Sequence, residues 1–442
     1  MRYSFATRMI TLMVTACAVL QSVVPRSEAQ TRWDRYPDNP VLRVVLGDSR
    51  DPFFYRHKYF PSVLKDSAGG FFRMWFASIT MDDPRWGISY AISQDGVTWF
   101  HYDGNSVLKT DDYPAFDNEW VIDPHVILVG DTYFLYYTGF DGNLYKSGLA
   151  TSHDGIAWIR HDGNPILTPH SGTWESVSSN CPRVIVKGDI FYMFYAGFDG
   201  TTRQIGLANS TDGKTWVKFP GNPVLGPGDA GAWDAGGVAP IAVFVRSGVF
   251  HLLYDTQPQG EIGLALSDNG VLWRKYPGNP VFLPGGSADW DGTLAGVGLV
   301  VEEDSLRMWY SGYGPAGSGG YDAWQIGYAV SPFDTTVLAV ANKAEVPGQF
   351  SLLANFPNPF NASTVISFEL PQRAVVDIRV YDVLGKEVVT LVHGSYSAGR
   401  HSVTFEAGGQ ASGVYYCRVE ANFTDGRGTE SVHATRAMAL VK

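Results

Sequence analysis

A tryptophan followed six residues later by an asparagine recurs five times in this chain, as Trp33 and Asn39, Trp99 and Asn105, Trp158 and Asn164, Trp216 and Asn222, and Trp273 and Asn279. Successive tryptophans are 66, 59, 58 and 57 residues apart, and four of the asparagines continue as Asn-Pro-Val/Ile-Leu/Phe. A unit of that length cannot bury its apolar face alone, so copies must pack on one another, and few architectures allow it. Ahead of four of the tryptophans stands a turn of one type: Ser93-Gln94-Asp95-Gly96, Ser152-His153-Asp154-Gly155, Ser210-Thr211-Asp212-Gly213 and Ser267-Asp268-Asn269-Gly270. Asp-Gly and Asn-Gly are hairpin turns.

Between these boxes the second unit reads as three further strands: Asp123-Pro124-His125-Val126, Tyr133 to Tyr137, and Gly148-Leu149-Ala150, with the Trp158 segment as the fourth. Four short strands per unit, repeated radially, predict blades of a β-propeller. The chain opens with an orphan outer-strand segment, Trp33 to Leu42, and its last unit stops at Ser331-Pro332 without one, so the first segment is expected to complete the last blade. The fold class is therefore all-β: a five-bladed β-propeller over residues 30–340 closed by an N-terminal strand, a linker over 341–354, and a small C-terminal β-sandwich over 355–442. Forty-nine glycines and 25 prolines suit many tight turns, and 14% aromatic residues supply cores.

Residues 1–29 read as a signal peptide: Arg2 and Arg8, a mostly apolar run from Ile10 to Val24, and the small-x-small site Ser27-Glu28-Ala29. Val14-Thr15-Ala16-Cys17 is a weaker, lipobox-like alternative. No later stretch is long and apolar enough for a spanning helix. With 33 basic against 44 acidic side chains the net charge is −11, which speaks against nucleic acid as a partner. Cys181 and Cys417 lie in different predicted domains, so no disulfide is expected, and no CxxC or HExxH spacing motivates a metal or any other cofactor.

From Val346 the repeat ceases. Strands are expected at Val365 to Leu370, Val375 to Tyr381, Val388 to Leu391, His401 to Phe405 and Gly413 to Val419. Asn355-Phe356-Pro357-Asn358-Pro359-Phe360-Asn361, Val380-Tyr381-Asp382-Val383-Leu384-Gly385, Ala398-Gly399-Arg400-His401, Ser412-Gly413-Val414-Tyr415-Tyr416 and the basic, apolar end from Arg436 to Lys442 resemble the C-terminal sorting domain of type IX secretion cargo. That resemblance implies a Gram-negative route through the periplasm to the surface or medium, with the type IX machinery as partner.

In a propeller the first strand of each blade lines the axis. Aligned on the recurrent proline, the five starts read Tyr59-Phe60-Pro61, Ile122-Asp123-Pro124, Asn180-Cys181-Pro182, Val238-Ala239-Pro240 and Leu294-Ala295-Gly296. Asp123 alone is a carboxylate; near the axis it is desolvated, which suits a general acid. Asp255 stands where other units have Thr138, Ala196 or Ser311, and Glu175 precedes an inner strand; each is a candidate second carboxylate, although Glu175 recurs as Asp117, Asp234 and Asp291, which points to a structural role. Arg56, His57, Lys58, His125 and Arg183 are candidate anion or substrate contacts, and Trp86 and Trp324 are candidate sugar-stacking aromatics. Five blades, Ser-x-Asp-Gly-x-x-Trp turns, Asn-Pro-Val-Leu strands and Asp123-Pro124 resemble the propeller glycoside hydrolases of families 43, 32 and 130. Family 43 implies carboxylates in blades one to three, where this chain has Phe60, Asp123 and Asn180 or Cys181. Asp123-Pro124-His125 is closer to the Asp-Pro-Arg-like acid segment of family 130. The expected function is cleavage of glycosidic bonds in poly- or oligosaccharides, by water or by phosphate held near Arg56, His57 and Lys58. The alternative is a non-catalytic glycan-binding or surface propeller.

Overall fold

The computed structural model describes residues 33–44, 57–332 and 349–441, apart from 67–68, 80–82, 113, 258–259, 317–320, 354, 356–357, 362 and 426–427. The expected signal peptide and Arg56 lie outside these residues. The described chain is all-β, with no helix and hence none long and apolar enough to cross a membrane.

The repeat appears as antiparallel meanders. The first is β2 (His57–Lys65), β3 (Phe72–Ile79), β4 (Gly87–Ser93) and β5 (Phe100–His101). The second is β6 (Trp120–Val129), β7 (Thr132–Phe140), β8 (Tyr145–Ser152) and β9 (Ile159–Arg160); the third is β10 (Ser178–Lys187), β11 (Ile190–Phe198), β12 (Arg203–Ser210) and β13 (Val217–Lys218). The fourth is β14 (Val238–Arg246), β15 (Val249–Thr256), β16 (Ile262–Ser267) and β17 (Arg274–Lys275). In the last sheet β18 (Thr293–Val301), β19 (Ser305–Ala316) and β20 (Tyr321–Pro332) are joined by β1 (Asp34–Arg35), with Asp34 opposite Val330. The leading strands β2, β6, β10, β14 and β18 pack each against the next, and β18 packs against β2.

The repeated residues do local, equivalent work. Each asparagine of the Trp-Asn box pairs with the third strand of its meander: Asn222 Oδ1 accepts from Leu207 N at 2.8 Å while its Nδ2 donates to Leu207 O at 2.9 Å and to Tyr195 Oη at 3.1 Å. In the boxes Asp95, Asp154 and Asp212 accept backbone N–H groups two and three residues on, from Val97 and Thr98, Ile156 and Ala157, and Lys214 and Thr215. The box glycine carbonyl in turn receives a side chain from another meander: Trp75 Nε1 donates to Gly155 O, Tyr136 Oη to Gly213 O and Trp309 Nε1 to Gly96 O, at 2.7 to 2.8 Å. Trp309 so ties the last sheet to the first.

In the tail, β21 (Ser351–Leu352), β22 (Ser363–Leu370) and β25 (Gly399–Glu406) form one sheet. The other comprises β23 (Ala374–Tyr381), β24 (Glu387–Tyr396), β26 (Gly413–Asp425) and β27 (Gly428–Leu440). They share one core that includes Ile366, Phe368, Val376, Ile378, Phe405, Val419 and Met438. The five expected strands are present. The sequence reading missed β27, because its charged and apolar residues alternate on a strand with only one covered face. Removing one side-chain bracket tests the repeat: Asn222→Ala should destabilise the propeller domain by about 2–3 kcal/mol through loss of two backbone partners, measured by urea unfolding, while Lys214→Ala on the exposed turn should leave it unchanged.

Candidate active site

Each leading strand carries a β-bulge where the recurrent proline or its counterpart sits: the pairing register slips between Tyr59 and Ser62, Ile122 and His125, Asn180 and Arg183, Pro240 and Ala242, and Ala295 and Val297. The bulge turns Phe60, Asp123 and Cys181 into the left-handed region at φ 49°, 53° and 52°, and Gly296 at 42°. Such backbone is unfavourable for a side-chain-bearing residue and is held here by the surrounding sheet. It re-aims the side chain. The start of a first strand, the end of a second and the start of a third lie at one edge of each meander, and three sets of equivalent positions meet there.

The first set is the bulge itself, which contributes Asp123. The second lies on the second strand: Ala77, Thr138, Ala196, Asp255 and Ser311. Its polar members accept the N–H of the next bulge: Cys181 N donates to Thr138 Oγ1 at 3.0 Å, Phe60 N to Ser311 Oγ at 2.9 Å, and Gly296 N to the Asp255 carboxylate. The third is the residue three before the third-strand glycine or serine: Trp86, Tyr145, Arg203, Gly260 and Trp324.

Asp123 is 1% exposed. Cys181 Sγ donates to its Oδ2 at 3.3 Å, Thr138 also bonds the carboxylate, and Oδ1 has no partner. Burial raises its pKa, opposed by Arg183 and Arg203. Asp255 is 8% exposed, its Oδ1 is likewise unpartnered, and burial raises it to about 6 against the pull of Arg203 and Arg183, with the Asp123 charge adding to the rise. The two carboxyls therefore share one electrostatic site and titrate as a pair. Burial and both aspartates push Tyr59 well above the usual phenol value; burial, then Asp123, takes Tyr145 to about 12. Burial raises the Cys181 thiol, so it stays protonated and donates.

An aromatic wall stands at the same edge. Tyr59 lies 4.3 Å from Trp324 and 6.0 Å from Trp86 between ring centroids, Trp86 stacks on His57 at 5.6 Å, and Trp120, Phe140 and Tyr145 continue it. Flat apolar rings beside hydrogen-bonding groups suit the faces of a sugar.

The structure thus joins Asp123, Asp255, Arg183, His57, Trp86 and Trp324 in one region and sends three other candidates elsewhere. Glu175 is 4% exposed; Lys218 Nζ bonds its Oε1 and Ser179 Oγ its Oε2, both at 2.7 Å. The same bracket recurs as Arg160 and Tyr137 on Asp117, Lys275 and Tyr254 on Asp234, and Arg35 and Tyr310 on Asp291. Glu175 is a strut between strands. Lys58 is buried, donating to Arg43 O at 2.6 Å and lying 3.3 Å from His101, because neighbouring residues on a strand point to opposite faces. His125 Nε2 bonds Val184 O at 2.8 Å, and burial lowers its pKa to about 3, so it is neutral. It lines a mostly apolar axial channel of about 260 Å³ with Val126, Val184, Ile241 and Val297, past the bulges from Asp123. Arg183 spans between leading strands, its Nε donating to Ile241 O at 2.7 Å. Tyr59, Tyr145 and Arg203 were missed by sequence reasoning; lining up the third-strand starts would have found the last two. Among the described residues no group of three or more His, Cys, Asp or Glu is placed to hold a metal ion.

Residues 70–170 match the family model described as β-1,4-mannooligosaccharide phosphorylase, of glycoside hydrolase family 130, and residues 354–426 match that of the secretion system C-terminal sorting domain. An uncharacterised protein of Mycobacterium tuberculosis is 30% identical over 192 residues, covering 41% of this chain, which spans only 58% of that relative's length. A 1,2-β-oligomannan phosphorylase of Thermoanaerobacter is 24% identical over 214 residues, covering 36% of this chain and 69% of the relative. Among solved structures, a β-1,2-mannobiose phosphorylase from Listeria innocua superposes with a TM-score of 0.54 at 16% identity, over 70% of this chain and 98% of that one. A glycosyl hydrolase from Bacteroides ovatus does so with 0.54 at 18%, over 70% and 95%. The chain thus carries a segment that matches the family 130 model, followed by a segment that matches the sorting-domain model. That tail marks it for type IX secretion to the cell surface or extracellular space.

Asp255 does what threonine or serine does elsewhere, so its charge is surplus to capping the bulge and costs stability. Its pKa is 3.8 unfolded and about 6 folded, so from about pH 4 to 6 the native state holds the extra proton and stability falls as pH rises. Above pH 6 the penalty is on the order of 3 kcal/mol. Asp255→Asn, which keeps an acceptor for Gly296 N, should therefore stabilise the protein at pH 7 by up to about that amount and leave it nearly unchanged at pH 4, as read by urea unfolding at the two pH values.

Proposed function

We propose that residues 33–332 form a five-bladed propeller, closed by β1 as fourth strand of the last blade, that hydrolyses mannosidic bonds outside the cell with Asp123 as general acid and Asp255 as general base. The ring is supported by the pairing of β1 with β20, by Arg35 serving Asp291 as Arg160 serves Asp117, and by Trp309 reaching Gly96. The observation that carries the chemistry is the pair of buried carboxyls with one oxygen each unsatisfied.

Burial raises both carboxyls and the Asp123 charge adds to the rise at Asp255, so the pair loses its two protons in separate steps. The reactive form is the one in which Asp123 holds a proton and Asp255 has lost its own. Asp123 gives its proton to the glycosidic oxygen as the bond to the anomeric carbon breaks. Asp255 takes a proton from the water whose oxygen attacks that carbon, which inverts its configuration. Arg203 and Arg183 limit the cost of the negative charge. Mannosides are named as substrates because two similar proteins are described as β-1,2-mannoside phosphorylases. Water is preferred over phosphate because the Asp255 charge repels an anion and Lys58 is turned to the Arg43 carbonyl and His101.

With manno-oligosaccharides of β-1,2 and β-1,4 linkage, the wild type should release mannose without phosphate, and Asp123→Asn should lose about 10³-fold in kcat with KM little changed. Turnover only with phosphate would replace hydrolysis by phosphorolysis; binding without turnover in wild type would leave a glycan-binding propeller. The rate should rise with pH as the pair loses its first proton and fall as it loses the second. In Asp255→Asn the acid-side limb should vanish from the residual rate, checked by kcat/KM from pH 4 to 9.

A further inference from the structure

The fourth Ser-x-Asp/Asn-Gly box departs from the other three in sequence and surroundings together. Asp95, Asp154 and Asp212 are exposed, as are Thr98, Ala157 and Thr215 three residues on. The residues after the tryptophans, Phe100, Ile159 and Val217, are 63%, 75% and 46% exposed. In the fourth box Asn269 is 9% exposed, Leu272 and Arg274 are half-buried and Trp273 is buried.

Asn269 keeps the inward duty of the aspartates, its Oδ1 accepting from Val271 N at 2.9 Å and Leu272 N at 3.0 Å. What the amide adds is a donor, and its Nδ2 donates at 2.9 Å to Ser367 Oγ on β22 of the tail. On β22, Thr364, Ile366, Phe368 and Leu370 point into the tail's core, so Ser367 belongs to the outward set with Val365 and Glu369. Those two are half-buried; Ser367 is 4% exposed. An aspartate at 269 would bury a charge against a lone hydroxyl, a costly arrangement that asparagine avoids.

We infer that the fourth box is the docking site of the chain's own sorting domain, seated through the outer face of its β21–β22–β25 sheet. Tethering makes a small contact sufficient, because the tail is held at high effective concentration. The contact leaves the outer face of the other tail sheet, with exposed Val375, Val414 and Tyr416, for the secretion machinery.

In the full chain carrying Asn269→Cys and Ser367→Cys, a short bifunctional thiol reagent should link the two positions. The control pair Asp212→Cys and Ser367→Cys should link at least tenfold less. Native Cys181 and Cys417 are buried and give little background. Equal linking in both pairs, or none in the first with unfolding midpoints at the wild-type value, overturns the proposal. Should a double variant fail to fold, the single change Asn269→Asp decides: amide exchange in residues 267–273 and 363–370 should quicken at least tenfold, and unchanged exchange in both segments refutes docking there.

Discussion

The hydrogen bond from a bulge N–H on one leading strand to a side chain on the second strand of the preceding sheet is the interaction on which the candidate site depends. Thr138 holds Cys181, Ser311 holds Phe60 and Asp255 holds Gly296. Each joins neighbouring sheets and fixes a backbone turn that a side-chain-bearing residue adopts only at a cost. Without the turn at φ 53°, Asp123 would follow the strand's alternation; with it, the carboxyl faces Thr138, Cys181 and Asp255. Thr138 and Asp255 thus serve both ends: Thr138 holds the Cys181 bulge and bonds the Asp123 carboxyl, and Asp255 holds the Gly296 bulge and adds the second carboxyl.

Much of this was legible because a repeat supplies its own controls. Five copies of a Trp-Asn spacing gave the strand count per unit, and alignment within the chain exposed Asp123 and Asp255 as departures. The same comparison gave the reason to set Glu175 apart: a carboxylate present in several copies serves the copy. Lys58 and His125 misled because composition says nothing of the face a strand residue takes, and a bulge at Phe60 or Asp123 changes the parity on either side of it. Arg203 and Tyr145 escaped for another reason. They stand at strand starts just after loops of unequal length, where alignment by motif weakens.

The site's electrostatics follow from how few charges the described residues place at the axis. Two carboxyls, two guanidiniums, two phenols and a thiol lie within mutual influence and nearly out of solvent. Burial raises the carboxyl pKa values, and the arginines oppose the rise. A site with both aspartates fully ionised would lack an acid; one with both protonated would lack a base. The Cys181 thiol is neutral and adds a donor without adding charge.

Departures from the repeat fall into two groups that obey the same logic at opposite ends of the sheets. At the edge where first strands begin, a charged residue replaces a small one, as Asp255 does at the place of Thr138. At the edge of the hairpin boxes, an amide replaces a carboxylate and Leu272 stands where other copies have threonine or alanine. Charge enters where desolvation can be turned to chemistry, and charge leaves where a neighbouring surface covers the turn. In both cases the old structural duty survives, since Asp255 still accepts from Gly296 N and Asn269 still accepts from Val271 N and Leu272 N. A repeated scaffold acquires a new property most readily at positions where the substituted side chain can still make the bond that the scaffold requires.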